Sequence, residues 1–172
     1  MKINSASKYL VKYRTWVIKL NYPCFILLHL SLCIIITIIF TGIMYLIKTD
    51  FEKYPVNINV PIFFLIAWSI ILAPILETLI FQKLPYKFFR RFKGFPANYI
   101  FISSFIFGIV HVSSFYNFNV ISVLNIIRTI LIGVIFAFMY YVLYKKGKEN
   151  PFWSVVLVHA LLNASSSLYD LF

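Results

Sequence analysis

Glu77 is the sole acidic residue inside any membrane-length apolar run of this 172-residue chain, and His111 and His159 stand in two later apolar runs. An ionisable side chain in hydrocarbon costs roughly 2.5 to 3.5 kcal/mol on insertion scales and persists mostly where it pairs or does chemistry. A carboxylate and two imidazoles can move protons to and from a reacting group, or hold a zinc ion with its fourth position open. His159 and Asn163 are four residues apart and share one helix face, as do Phe107 and His111. His29 has no companion of this kind and is expected to be an interhelical hydrogen-bonding group.

The elements that must position these groups are helices in a membrane. The chain is 62% hydrophobic and only 12% charged, too apolar for a soluble domain. Its apolar runs are Cys24 to Ile47, Pro61 to about Leu84, Ala97 to about Tyr116, Ile121 to Tyr144 and Pro151 to about Leu168. Lipid admits only segments whose backbone hydrogen bonds close internally, so the expectation is an all-α polytopic bundle of about five transmembrane helices. Thirteen of the 16 Lys and Arg fall before the first run, between the second and third, and between the fourth and fifth. Loops kept in the cytoplasm collect such residues, which places the N-terminus inside.

The net charge of +11 could suggest a nucleic-acid partner, but that use gathers basic residues on one soluble face. Here they punctuate hydrophobic runs, so the partners expected are membrane lipids and a protein or peptide substrate, with no nucleic acid. Tyr9, Leu10, Tyr13, Trp16, Val17 and Leu20 recur at helical spacing among basic residues, and residues 1–23 are expected to form an amphipathic anchor that is not cleaved as a signal peptide. Residues 24–60 then supply the first transmembrane helix and a loop, and 61–168 the chemistry-bearing part. Cys24 and Cys33 lie about 13 Å apart along one helix and cannot bridge. Low Gly with abundant Ile, Phe, Asn and Lys suggests a bacterial plasma membrane.

Pro74, three residues before Glu77, cannot donate to the carbonyl of Ile70, so the second helix is expected to kink there and admit water beside the carboxylate. Counting from the basic ends at 1.5 Å per residue puts His159 about 12 Å deep, His111 about 21 Å, and Glu77 only about 10 Å if its helix stops at Leu84. The heights converge better if that helix continues through Pro85-Tyr86-Lys87-Phe88-Phe89-Arg90, with its basic side chains snorkelling to headgroups.

Glu77, Phe107-x-x-x-His111 and His159-x-x-x-Asn163, in this order on three helices, resemble the CAAX protease and bacteriocin-processing family of intramembrane proteases, also called CPBP or Abi. The family pattern is Glu-Glu-x-x-x-Arg, Phe-x-x-x-His and His-x-x-x-Asn or Asp. The second and third motifs match residue for residue. In the first, Thr78 replaces the second Glu and Gln82 the Arg, which looks like an ionic clamp exchanged for a neutral hydrogen-bonding one. Ala73-Pro74, Phe81 and Gly133 also look like the family, and the likeness covers about residues 61 to 168.

The resemblance implies peptide hydrolysis in the membrane without an acyl-enzyme. Glu77 would be general base on a water held also by His111, His159 and Asn163 would donate to the oxyanion, Thr78 and Gln82 would position Glu77, and Phe107 would shape the cavity. Ser103 and Ser104 are not expected to be nucleophiles. No cofactor is expected, since the glutamate-water mechanism needs none and no His-Glu-x-x-His helix is present; zinc on Glu77, His111 and His159 is the alternative. Arg128 is expected to snorkel from the outer part of the fourth helix, the alternatives being a charge partner for Glu77 or a seat for a substrate carboxylate. Set against the protease is a non-catalytic bacteriocin-immunity or membrane regulatory protein. A transporter would call for repeated halves or discontinuous helices, and neither is visible.

Overall fold

The computed structural model describes residues 13, 15–47, 61–111, 119–147 and 149–169, which are helical with no strand among them. A helical stretch over residues 15–19 precedes helix α1 (Tyr22–Leu46). Helix α2 runs continuously through Ile62–Ala67, Trp68–Leu72, Ala73–Glu77, Thr78–Lys83 and Leu84–Phe89. Helices α3 (Ala97–Val110), α4 (Val120–Lys146) and α5 (Pro151–Tyr169) follow. Of the N-terminal amphipathic segment, Trp16 is exposed and Val17 fully buried; Tyr9 and Leu10 lie outside the described residues.

Each of the five apolar runs contributes a helix among the described residues, but the helices are not equal. Among the described residues three helices are long and apolar enough to cross a bilayer: Tyr22–Leu46, Phe63–Phe89 and Val120–Lys146. Helix α3 has 14 residues and stops at Val110, short of the run to Tyr116 expected from hydropathy; residues 112–118 are outside the described set. Helix α5 has 19 residues, with Ser154, His159 and Asn163 diluting its hydropathy.

Local signals explain the helix ends. The Asn21 side chain accepts from Cys24 N at 3.0 Å, with Pro23 in the first turn of α1. Asn119 and Ser122 form a reciprocal cap at the start of α4, and Gly147, with φ of 67°, closes its end in the left-handed conformation that glycine adopts without penalty. Asn150 accepts from Phe152 N at 3.1 Å just before Pro151 opens α5.

Helix α2 continues to Phe89, as the depth argument requires. Its last turn is held by aromatic packing: the buried Tyr86 ring lies 5.3 Å from Tyr99 of α3 and 4.5 Å from Tyr144 of α4, and Arg90 Nη1 donates to Tyr144 OH at 3.0 Å. Helix α4 is central, packing on α3, α1 and α5. With no hydrophobic force between helices in lipid, close approach decides where they meet. A Cβ on Gly133 would come within 3.0 Å of Ser104 Cα and 3.1 Å of the Phe107 ring. The contact that Gly133 permits fixes the stretch of α3 that carries Phe107 and His111.

Candidate active site

Glu77 sits on one α-helical turn between two π-helical segments, Trp68–Leu72 and Thr78–Lys83. Each has a proline at its exit. Ala73 N–H donates to Trp68 O, five residues back, which strips Ser69 O of its usual donor; Pro74, the next residue, has no N–H to offer. Asn163 of α5 fills the gap, its Nδ2 donating to Ser69 O at 2.8 Å. At the second segment Leu84 N–H donates to Leu79 O, also five residues back, and Pro85 cannot serve Phe81 O. Here Ser103 Oγ of α3 donates to Phe81 O. The kink expected at Pro74 is thus a pair of widened turns, each tied to a neighbouring helix.

The three ionisable side chains converge between these ties. Glu77 Oε2 lies 3.3 Å from His111 Nε2 and 3.6 Å from His159 Nε2. Both separations exceed ordinary hydrogen-bond lengths. The Glu77 side chain is 23% exposed, His111 34% and His159 6%, while the Glu77 Oε2 that faces both histidines is itself buried.

The ring nitrogens are distinguishable. His111 Nδ1 lies 2.6 Å from Phe107 O; a carbonyl only accepts, so Nδ1 carries a proton and donates it. When neutral, His111 therefore presents a lone pair on Nε2 toward Glu77. His159 Nδ1 is buried without a partner among the described residues, which puts the proton of the neutral ring on Nε2, facing Glu77. Aromatic rings hold both: Phe107 stands 4.4 Å from His111 and 5.9 Å from His159, and Phe136 of α4 stands 4.9 Å from His159.

Thr78 and Gln82 are fully buried, yet neither forms a hydrogen bond among the described residues, to the other or to Glu77. The family resemblance implies a polar clamp here, and among the described residues the structure does not make one. Consecutive helical residues diverge by about 100°, so Thr78 faces away from the carboxylate of Glu77 onto a different wall. Arg128, expected to snorkel, instead turns inward: its Nε is buried, and it lines a cavity of about 110 Å³ with His111, His159 and Asn163. It makes no ion pair with Glu77. His29 lies apart, with Nδ1 2.7 Å from Phe25 O of its own helix.

Three contributions were not anticipated from the sequence: the carbonyl of Ser69, Ser103 as a donor to α2, and Phe136. Pro74 and Pro85 announce missing backbone donors nearby, which is the signal for the first two, although the π register that selects Ser69 O and the partner of each carbonyl are visible only in three dimensions. Phe136 is one of 19 Phe, and nothing local distinguishes it.

A family model of Type II CAAX prenyl endopeptidase Rce1-like proteins matches residues 59–165. The chain belongs to this family, the CPBP/Abi group. The match spans Glu77, His111, His159 and Asn163 and points to an intramembrane protease, working in a membrane on peptide or protein substrates. With three membrane-length helices among the described residues, it is a multi-pass membrane protein. Searches of curated proteins and of solved structures find no match.

Among the described residues no group of three or more His, Cys, Asp and Glu side chains could hold an ion. A ligating histidine almost always gives its second N–H to an acceptor, and His159 Nδ1 has none.

Proposed function

We propose that the chain is a glutamate-dependent intramembrane endopeptidase, with Glu77, His111, His159 and Asn163 as its catalytic residues. The observation that carries this reading is the approach of two histidine Nε2 atoms, on two other helices, to the same carboxylate oxygen of Glu77.

A water between Glu77 and His111 gives one proton to the carboxylate while its oxygen attacks the peptide carbonyl carbon. The His111 lone pair on Nε2 accepts the second water hydrogen and orients the nucleophile. The carbonyl oxygen becomes an oxyanion, met by the Nε2 proton of His159 and by the Asn163 N–H that the bond to Ser69 O leaves over. Glu77 then passes its proton to the departing amine, the C–N bond breaks, and the carboxylate is restored. Pro74 and the widened turn at Trp68–Leu72 contribute by letting Asn163 be held from α2, on the same helix as the base. Thr78 and Gln82 act as packing, so their departure from the family pattern leaves the base itself intact.

The test compares newly formed peptide N- and C-termini in membranes of cells making the wild type, Glu77→Gln or His159→Ala at matched levels. Products found with the wild type alone establish hydrolysis and name its substrate. Identical termini in all three, together with a bacteriocin-protection phenotype that survives in both variants, would replace hydrolysis with the immunity or regulatory role. Activity that falls on chelation and returns with zinc would overturn the metal-free scheme.

A further inference from the structure

Arg128 is the one Lys or Arg well inside an apolar run, away from its ends, and it lines two cavities between the helices. Its Nε is buried with no hydrogen-bond partner among the described residues. Of the chain's five acidic residues, Glu77 and Glu149 are described, and neither lies within ion-pair distance of it. An intramembrane cation facing the interior calls for a partner, and a guanidinium presents a planar fork of donors matched to a carboxylate.

The surroundings say where that partner comes from. Arg128 borders the cavity of about 110 Å³ that holds His111, His159 and Asn163. It also borders a second cavity of about 730 Å³ between α1, α4 and α5, walled by Ile34, Ile38, Met44 and Leu162 with Asn125 and Ser165. Thr37, Leu162 and Ser166 line both, so Arg128 stands where the cavity that holds the two histidines and Asn163 meets a mainly apolar groove large enough for peptide side chains.

We propose that Arg128 is a substrate-binding residue that receives a carboxylate of the peptide, the groove between α1, α4 and α5 taking the apolar residues beside it. The proposal rests on the protease reading for the word substrate. The binding itself can be measured without turnover, so the two stand or fall separately.

Full-length Glu77→Gln protein in detergent is mixed with pentapeptides randomised over Ala, Leu, Ile, Phe and Ser. One pool has free C-termini, a second has C-terminal amides, and a third has amides carrying one Glu; retained peptides are counted by mass spectrometry. The expected result is about tenfold retention of a carboxylate-bearing pool over the plain amides. That preference disappears in Glu77→Gln/Arg128→Gln and Glu77→Gln/Arg128→Met and returns in part with Glu77→Gln/Arg128→Lys. Preference for the first pool assigns a C-terminal carboxylate, and preference for the third an acidic side chain. Equal retention of all three pools overturns the proposal even if every Arg128 variant misfolds, because that comparison keeps Arg128 intact. A preference that persists in a folded Arg128→Gln or Arg128→Met protein overturns it too. Arg128-dependent retention of phosphatidylglycerol without peptide preference would replace the carboxylate by a lipid phosphate. Peptides held through Arg128 but never cut by the wild type would end the protease reading and leave the carboxylate site standing.

Discussion

The two widened turns of α2 are built alike and used differently. In each, a π segment is followed by a proline, and a side chain from another helix donates to a carbonyl of the widened turn, Ser69 O at the first and Phe81 O at the second. At the first the donor is Asn163, which also lines the cavity with His111 and His159. At the second it is Ser103, buried between α2 and α3. One break thus joins the base to a second polar side chain of the site; the other anchors the helix that carries His111. A proline in a membrane helix is a demand for a donor, and function depends on which residue meets it.

The comparison breaks most sharply at Glu77 itself. Glu77→Gln should lower turnover about 10²- to 10⁴-fold, the range of a positioned acid–base group, with the protein remaining monodisperse in detergent; peptide-cleavage rates check this. Next come the two donors. Asn163→Ala should cost about 10²- to 10³-fold in turnover by removing an oxyanion donor, whereas Ser103→Ala should spare most activity and cost stability. A buried carbonyl left unpaired costs about 1–3 kcal/mol, which a thermal-aggregation midpoint in detergent will register. If both alanine variants lose activity equally, the division of labour between the two breaks is wrong.

The prolines sharpen the same contrast. Pro74→Ala returns an N–H that can bond within α2, competing with Asn163 for the backbone and turning Glu77 relative to α5. Turnover should fall by about tenfold, one tenfold step being about 1.4 kcal/mol, while thermal stability holds or rises, since an interior proline costs a helix about 3 kcal/mol. Pro85→Ala, beyond the site, should change turnover less than twofold. The smallest effect is expected at Thr78→Val, which replaces an unpartnered buried hydroxyl by a methyl of similar shape; burying an unpaired hydroxyl costs about 1–3 kcal/mol, so stability should rise slightly.

Much of this was legible in the sequence, for reasons that particular residues make plain. Glu77, His111 and His159 stood out because ionisable groups are conspicuous against a wholly apolar background, and the four-residue spacings to Phe107 and Asn163 survive as shared helix faces. The depth count carried α2 through Pro85 to Phe89, because a carboxylate must lie at the height of its partners. What stayed hidden depends on direction. Thr78 and Gln82 looked like a clamp since spacing reports a shared face and says nothing of what that face meets. Arg128 looked like a snorkelling residue because hydropathy does not distinguish a wall of lipid from a wall of α1 and α5. Phe136 offered no signal among so many phenylalanines.

The widened turns also set how α2 meets lipid. An ordinary α-helix gains about 40° for every four residues, so positions spaced by four should wind about 240° around it over 24 residues. Yet Phe64, Trp68, Leu72, Leu76, Ile80, Leu84 and Phe88 are all exposed, while Pro74, Thr78, Gln82 and Tyr86 are all buried. The extra residue in each π segment absorbs the drift and keeps a four-residue seam straight from one end of the helix to the other. Glu77 therefore holds one azimuth relative to both the bilayer and the bundle, and inserting or deleting a single residue on either side of it would swing the carboxylate away from both histidines.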